Sequence, residues 1–246
     1  MRIFGRRDTT DDVESVITDE LRGRTVRLFA MVGETISAAT LALLDGNREA
    51  GKIAVSRDEE IDRLARELIR EVESLLLSEP APSSIDRQEL LTLLRVLPEV
   101  ERNGDLAEHI ARRAVRGLGA EMSPRSRGLI ERMGEVATTI WRLATDALLD
   151  GRPEATGEIE DTDDELDELH VALTAELVSG SMSVPVAVEV AMVGRFYERF
   201  GDHCVNLARR RVNAHAMRSH AWALRRPTSV WPRIRINSRA ACASAW

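Results

Sequence analysis

The chain repeats itself, and each copy is built from helices. Leu43-Leu44-Asp45-Gly46 returns as Leu148-Leu149-Asp150-Gly151, 105 positions later. Asp58-Glu59-Glu60-Ile61-Asp62-Arg63-Leu64 returns at the same interval as Asp163-Asp164-Glu165-Leu166-Asp167-Glu168-Leu169. Glu101-Arg102-Asn103-Gly104-Asp105 returns as Glu198-Arg199-Phe200-Gly201-Asp202, 97 positions later. The three matches keep their order, which marks an internal duplication. The shorter last interval places a longer loop between the second and third helices of the first half.

Between sparse breakers the apolar residues keep helical spacing. Val26, Phe29, Val32, Ile36 and Leu43 form one stripe. Ile61, Leu64, Leu68, Val72 and Leu75 form a second, and Leu90, Leu93, Leu94, Leu97 and Val100 a third. Asp45-Gly46-Asn47 and Asp150-Gly151-Arg152-Pro153 read as stops followed by restarts, and Ser123-Pro124 as an N-cap and first helical residue. Loops are expected over 78–84, 117–124 and 179–185. The pattern predicts six long helices over roughly 21–45, 48–78, 86–116, 124–150, 154–179 and 185–214. The expected fold class is all-α, two tandem three-helix bundle repeats. An N-terminal segment 1–20 precedes a first repeat over 21–118 and a second over 122–216, and a basic tail, read as disordered, fills 217–246.

Composition closes other routes. Aromatic residues are only 4%, thin material for sheets, and all-β is excluded. No run long enough to cross a bilayer is free of charge, and the N-terminus meets Asp8 before any apolar stretch, so neither a membrane span nor a signal peptide is expected. Cys204 and Cys242 are too far apart for a thiol zinc motif, and a reducing cytoplasmic location fits. The net charge is −7, yet residues 217–246 carry Arg218, Arg225, Arg226, Arg233, Arg235 and Arg239 and no acid. The remaining body is therefore more acidic still, which disfavours nucleic acid as a partner and favours cations.

The acids are arranged. Asp58/Asp62, Glu101/Asp105, Asp163/Asp167 and Glu198/Asp202 each stand four residues apart, so each pair projects two carboxylates from one helix face. They continue the apolar stripes, as Leu90, Leu94 and Leu97 lead to Glu101 and Asp105. Many pairs at this spacing arise by chance in so acidic a chain, and solvated faces partly paired to Arg102 and Arg199 remain one reading. Equivalent placement in both repeats favours the other, ligation of hard cations such as iron, Mn or Mg. Gly104 and Gly201 beside the acids permit close approach of a neighbouring backbone or ligand. His170 is a lesser candidate ligand; His109 and His203 read as surface residues and Cys204 as a small packed side chain. Phosphate loops and nucleophile motifs do not occur, and one Asp167-Glu168-Leu169-His170 is too little for a ferritin-like di-iron site.

At these residues the chain resembles the PhoU family of phosphate-uptake regulators. Asp-x-x-Ile-Asp-x-Leu is matched by Asp58–Leu64 and, with Leu166 for Ile, by Asp163–Leu169. Glu-Arg-x-Gly-Asp-x-Ala is matched by Glu101–Ala107 and, less closely, by Glu198–Cys204. Asn103 and Phe200 stand where the family has an aliphatic residue, Cys204 where Ala is common, and His109 where Asn is common; Pro98 is expected to kink the third helix. The resemblance implies a metal-binding cytoplasmic adaptor without enzymatic activity and a negative regulator. Its implied partners are a phosphate-specific ABC transporter and a phosphate-sensing histidine kinase. It also implies a homodimer, reaching the membrane only through partners. A metal-dependent hydrolase and a dimerising bundle that binds no metal are the alternatives.

Overall fold

A computed structural model describes residues 9–78, 86–150 and 155–215. The described residues form six α-helices: α1 (Thr9–Leu44), α2 (Arg48–Leu77), α3 (Arg87–Arg116), α4 (Pro124–Asp150), α5 (Ala155–Val178) and α6 (Val184–His215). A short 3-10 turn, Leu118–Ala120, joins the halves. The tail 217–246 and the loop expected over 78–84, apart from Ser78, lie outside the described residues, as do Gly151, Arg152 and Pro153.

The helix ends follow local chemistry. Asn47 caps α2 by accepting from the Ala50 amide at 3.0 Å, and Asp86 caps α3 by accepting from Gln88 at 2.9 Å. Ser123 accepts from Ser126 at 3.1 Å one residue before Pro124, the expected cap. Gly117 closes α3 at φ 85°, a left-handed conformation in which a side chain would be strained. One boundary differs from expectation: α1 begins at Thr9, inside the segment read as a separate N-terminal piece. No breaker separates Thr9 from the first apolar stripe. α3 runs unbroken through Pro98.

Each repeat is a bundle, α1–α2–α3 and α4–α5–α6, and the two meet through α1 against α4 and α3 against α6. α2 and α5 are left on the flanks. The stretch Asp19–Leu44 in α1 is long and apolar enough to cross a membrane by composition, with a mean hydropathy of 1.4. In the fold that apolarity is used as core: Leu28, Phe29, Val32, Ile36 and Leu43 are fully buried.

Aromatic and polar contacts join the repeats. Trp141 of α4 stacks on Phe29 of α1 with centroids 5.4 Å apart and lies 5.5 Å from Phe200 of α6. Its indole N–H donates to the Phe29 carbonyl at 3.0 Å, so the buried nitrogen keeps a partner. Phe200, which stands where an aliphatic residue was expected, is therefore fully covered. Thr40 of α1 and Tyr197 of α6 share a buried hydrogen bond of 2.7 Å. Arg127 donates to the carbonyls of Leu44 and Gly119, tying α4 to the end of α1 and to the joining turn.

The α3–α6 seam corrects one expectation. His203 is not a surface residue: its Nδ1 lies 2.7 Å from Glu99 Oε2, and its side chain is 13% exposed. Buried Glu99 also receives Arg210 at 2.5 Å and Arg102 at 3.2 Å. The next turn places buried Asn103 against buried Cys204, Nδ2 to Sγ 3.7 Å. Burial pushes the Cys204 thiol well above its usual range. His109 stays half exposed, edge-on to Phe196.

Tyr197→Phe deletes one buried inter-repeat hydrogen bond while keeping the ring. It is expected to lower unfolding free energy by about 1 kcal/mol in chemical denaturation, without loss of helicity.

Candidate metal centre

Two glycines decide how close the helices come. A Cβ on Gly104 would lie 2.9 Å from Ile61 Cγ2 and 3.9 Å from Asp58 Oδ1. A Cβ on Gly201 would overlap Asp163 Oδ1 and lie 2.9 Å from Leu166 Cδ1. Ile61 and Leu166 are equivalent residues, as are Asp58 and Asp163, so the same close approach is built twice. In both repeats the apolar residue of the facing helix takes the space of a side chain at the glycine; Asp163 takes it too in the second, whereas Asp58 stands at ordinary contact distance in the first.

In the first repeat, Asp58 and Asp62 come from α2 and Asp105 from α3. One carboxylate oxygen of each lies within 4.8 Å of the others. Arg66 donates to Asp62 Oδ2 at 3.1 Å, but Asp58 Oδ1 and Asp62 Oδ1 are buried with no donor. Arg102, one candidate for neutralising the acids, hydrogen-bonds Glu99 instead. Glu101 stands one turn before Asp105 and outside the trio, close enough to feel Asp105 and Asp62.

The electrostatics follow from that crowding. Burial first, then Glu108, Asp62 and Asp105, push the Asp58 carboxyl up to about 7. Glu101 and Asp105 are raised in the same way, by burial and then by neighbouring carboxylates, although Arg102 opposes the shift in each. Two carboxylate oxygens without donors, meeting a third, form a donor set suited to a hard cation. The residues fit such an ion.

The second repeat brings Asp163 and Asp167 of α5 toward Glu198 and Asp202 of α6. Asp163 is likewise pushed up to about 7, by burial and then by Asp167, Asp202, Asp164 and Glu198. Arg195 forms an ion pair with Glu198 through Oε2, so this carboxylate already has a cationic partner. Burial raises the Glu198 carboxyl, and nearby Arg195 and His170 counter it. His170 packs over Gly194, where a Cβ would lie 3.3 Å from its ring. Among the described residues, only the first-repeat trio brings three donor atoms within the stated distance of one another.

Sequence reasoning passed over Glu108. It lies three residues after Asp105 and seven after Glu101, so it continues the acidic face by one turn. Its side chain is 6% exposed and is held by Arg112 Nε at 2.6 Å, with His109 Nδ1 at 3.2 Å. With Asp58, Lys52, Ser56 and Arg112 it lines a groove between α2 and α3 of about 560 Å³. Helical spacing alone could have found it; the missing counterpart in the second repeat hid it.

Comparison with known proteins bears on this geometry. The PhoU domain family model matches residues 25–114 and 130–211. The Mycobacterium tuberculosis phosphate-specific transport system accessory protein PhoU homolog 1 is 31% identical over 195 residues, covering 78% of this chain and 87% of that protein. Homolog 2 of the same organism is also 31% identical, over 194 residues, covering 78% of this chain and 91% of that protein. The crystal structure of PhoU from Pseudomonas aeruginosa superposes with a TM-score of 0.75 at 21% identity, covering 83% of this chain and 99% of that one. The regulatory protein PhoU from Streptococcus pneumoniae gives 0.72 at 21% identity, covering 83% and 98%.

Asp58 and Asp163 hold their protons to about pH 7 in the folded chain, against 3.8 for an ordinary aspartate. The folded state therefore binds more protons across that window. The stability these groups add is complete below it and lost as pH rises through 7. In chelator, Tm is expected to fall from about pH 4 to about pH 7, and Asp58→Asn with Asp163→Asn should flatten that fall. Thermal melts across the range check it.

Proposed function

The chain belongs to the PhoU family, and from that premise we propose that it is a metal-binding cytoplasmic adaptor that restrains phosphate uptake and phosphate-starvation signalling. It links a phosphate ABC transporter to a phosphate-sensing histidine kinase and works as a homodimer, held at the membrane only by its partners. The relatives' designation as accessory proteins of the phosphate-specific transport system supports the regulatory part of this reading.

The observation that carries the metal part is the pair of buried, donorless oxygens of Asp58 and Asp62 facing Asp105. Asp58, Asp62 and Asp105 would hold a hard cation in the first repeat, with Glu101 at its margin. Asp163, Asp167, Glu198 and Asp202 would do so in the second. A bound cation supplies positive charge that carboxylates of this chain otherwise take from protons. The acids also come from different helices, α2 with α3 and α5 with α6, so ligation clamps each pair. An adaptor needs two such rigid faces and no reacting atom. A phosphatase screen of metal-loaded protein separates this from hydrolysis.

Glu101→Gln with Asp105→Asn is expected to remove metal from the first repeat and leave the second occupied. The metal-free variant should melt higher than metal-free wild type, because like-charge repulsion is relieved. At a free cation concentration of a hundred times Kd, one site adds about 2.7 kcal/mol to wild-type stability. Elemental analysis and melts with and without chelator measure both effects. Equal metal content in the two proteins rejects the first site.

Deleting the gene should raise expression of phosphate-uptake genes in phosphate-rich medium. Transcript levels in the deletion strain, with any paralogue also removed, measure it. Unchanged expression rejects the regulatory reading.

A further inference from the structure

The duplication keeps an arginine and changes its acid. Arg112 of α3 corresponds to Arg209 of α6, 97 positions on. Arg112 pairs with Glu108 of its own helix, at 2.5 Å. Arg209 pairs across the bundle with Glu160 of α5, at 2.7 Å. The counterpart of Glu108 is Val205, and the counterpart of Glu160 is Val55. Each repeat thus has one acid for this arginine, placed on opposite helices.

The two placements differ in burial. The Glu108 side chain is 6% exposed, whereas that of Glu160 is 46% exposed. Water screens Glu160 and Arg209 together. Glu108 sits inside, lining the same groove as Asp58, while its partner Arg112 is 55% exposed and better screened. The local field at Asp58 is therefore more negative than pairing with Arg112 would suggest, since screening weakens the exposed charge more than the buried one. Val205 supplies no such charge beside Asp163.

We propose that Glu108, oriented by Arg112, is a positioning residue that makes the first-repeat cation site the tighter of two unequal sites. The inference rests on the cation reading above and adds a difference between repeats that the shared motifs do not carry. Glu108 is outside the trio of converging oxygens. It acts on the ion through charge and through the setting of Asp58, as outer-shell carboxylates do around metal ligands.

Mn²⁺ binding to the full chain tests it, followed by calorimetry and by the electron paramagnetic resonance signal of free Mn²⁺. The parent protein carries Asp163→Asn and Asp167→Asn, which isolates the first site. Glu108→Gln in that parent is expected to weaken Kd roughly tenfold, and Glu108→Asp to restore most of the loss. In the reciprocal background, Asp58→Asn with Asp62→Asn, Val205→Glu is expected to tighten the second site, with Arg209 four residues on to receive the new carboxylate. A merely structural role for Glu108 predicts no gain from Val205→Glu. Kd values for Glu108→Gln within about twofold of the parent overturn the inference while leaving the cation reading standing. A folded parent that takes up no Mn²⁺ overturns the cation reading, and this inference with it. Helicity of each variant is measured alongside.

Discussion

Everything at the candidate site depends on how closely α3 can lie against α2, and α6 against α5. Gly104 and Gly201 set that distance, because the space a Cβ would need is taken by Ile61 in one repeat and by Asp163 and Leu166 in the other. Glycine inside a helix costs about 1 kcal/mol relative to alanine. That cost is accepted twice, one residue before the second acid of a pair in each case. The same contact that seats an apolar side chain into the bundle also carries an aspartate partly out of water. Packing and site are one feature here: the groove cannot be widened to relieve the carboxylates without opening the bundle.

The acids on facing helices would push the pairs apart, so the rest of the bundle must hold them. Within each repeat the apolar stripes do so, as Ile61 and Leu68 of α2 and Leu97 and Ile110 of α3 are fully buried. Between repeats the burden falls on α1–α4 and α3–α6, where Trp141 lies between Phe29 and Phe200 and Glu99 gathers His203, Arg210 and Arg102. A buried carboxylate with several charge-assisted partners resists separation, because breaking the seam would leave Glu99 desolvated and unpaired. The contrast along α3 is instructive. Glu99 faces the other repeat and finds cations; Asp105, on another face six residues later, finds carboxylates. One helix thus presents an acid paired with cations to the seam and an acid crowded by Asp62 and Glu108 to the groove.

Much of this was legible in the sequence, for identifiable reasons. The duplication, the helix order and the carboxylate pairs follow from spacing, and helical spacing is a local property. Ser123 announced its cap for the same reason. What escaped depended on partners distant in the chain. His203 and Glu99 meet only because α6 crosses α3, and nothing near His203 signals burial. Thr40 and Tyr197 are likewise joined only by the docking of the repeats. The start of α1 escaped for a different reason: the polar run Thr9 to Asp12 reads in sequence as a tail, although the helix begins there. Glu108 was hidden by the repeat itself, since attention to what the halves share passes over a residue that only one half carries.

That asymmetry bears on what a duplicated protein can do. Identical repeats would present two equal sites, which fill together over one range of cation concentration. Here the arginine at the end of each acidic face is kept, while its acid moves from inside the groove to the exposed flank. Charge in a low-dielectric groove acts far more strongly on its neighbours than charge in water. A single exchange of acid and valine between facing helices can therefore separate two affinities without altering the carboxylates both sites share. Ligands that bind only the native state stabilise it in proportion to their occupancy. Unequal sites would then clamp the two helix pairs over different ranges of concentration, so one flank of the molecule could be fixed while the other still responds.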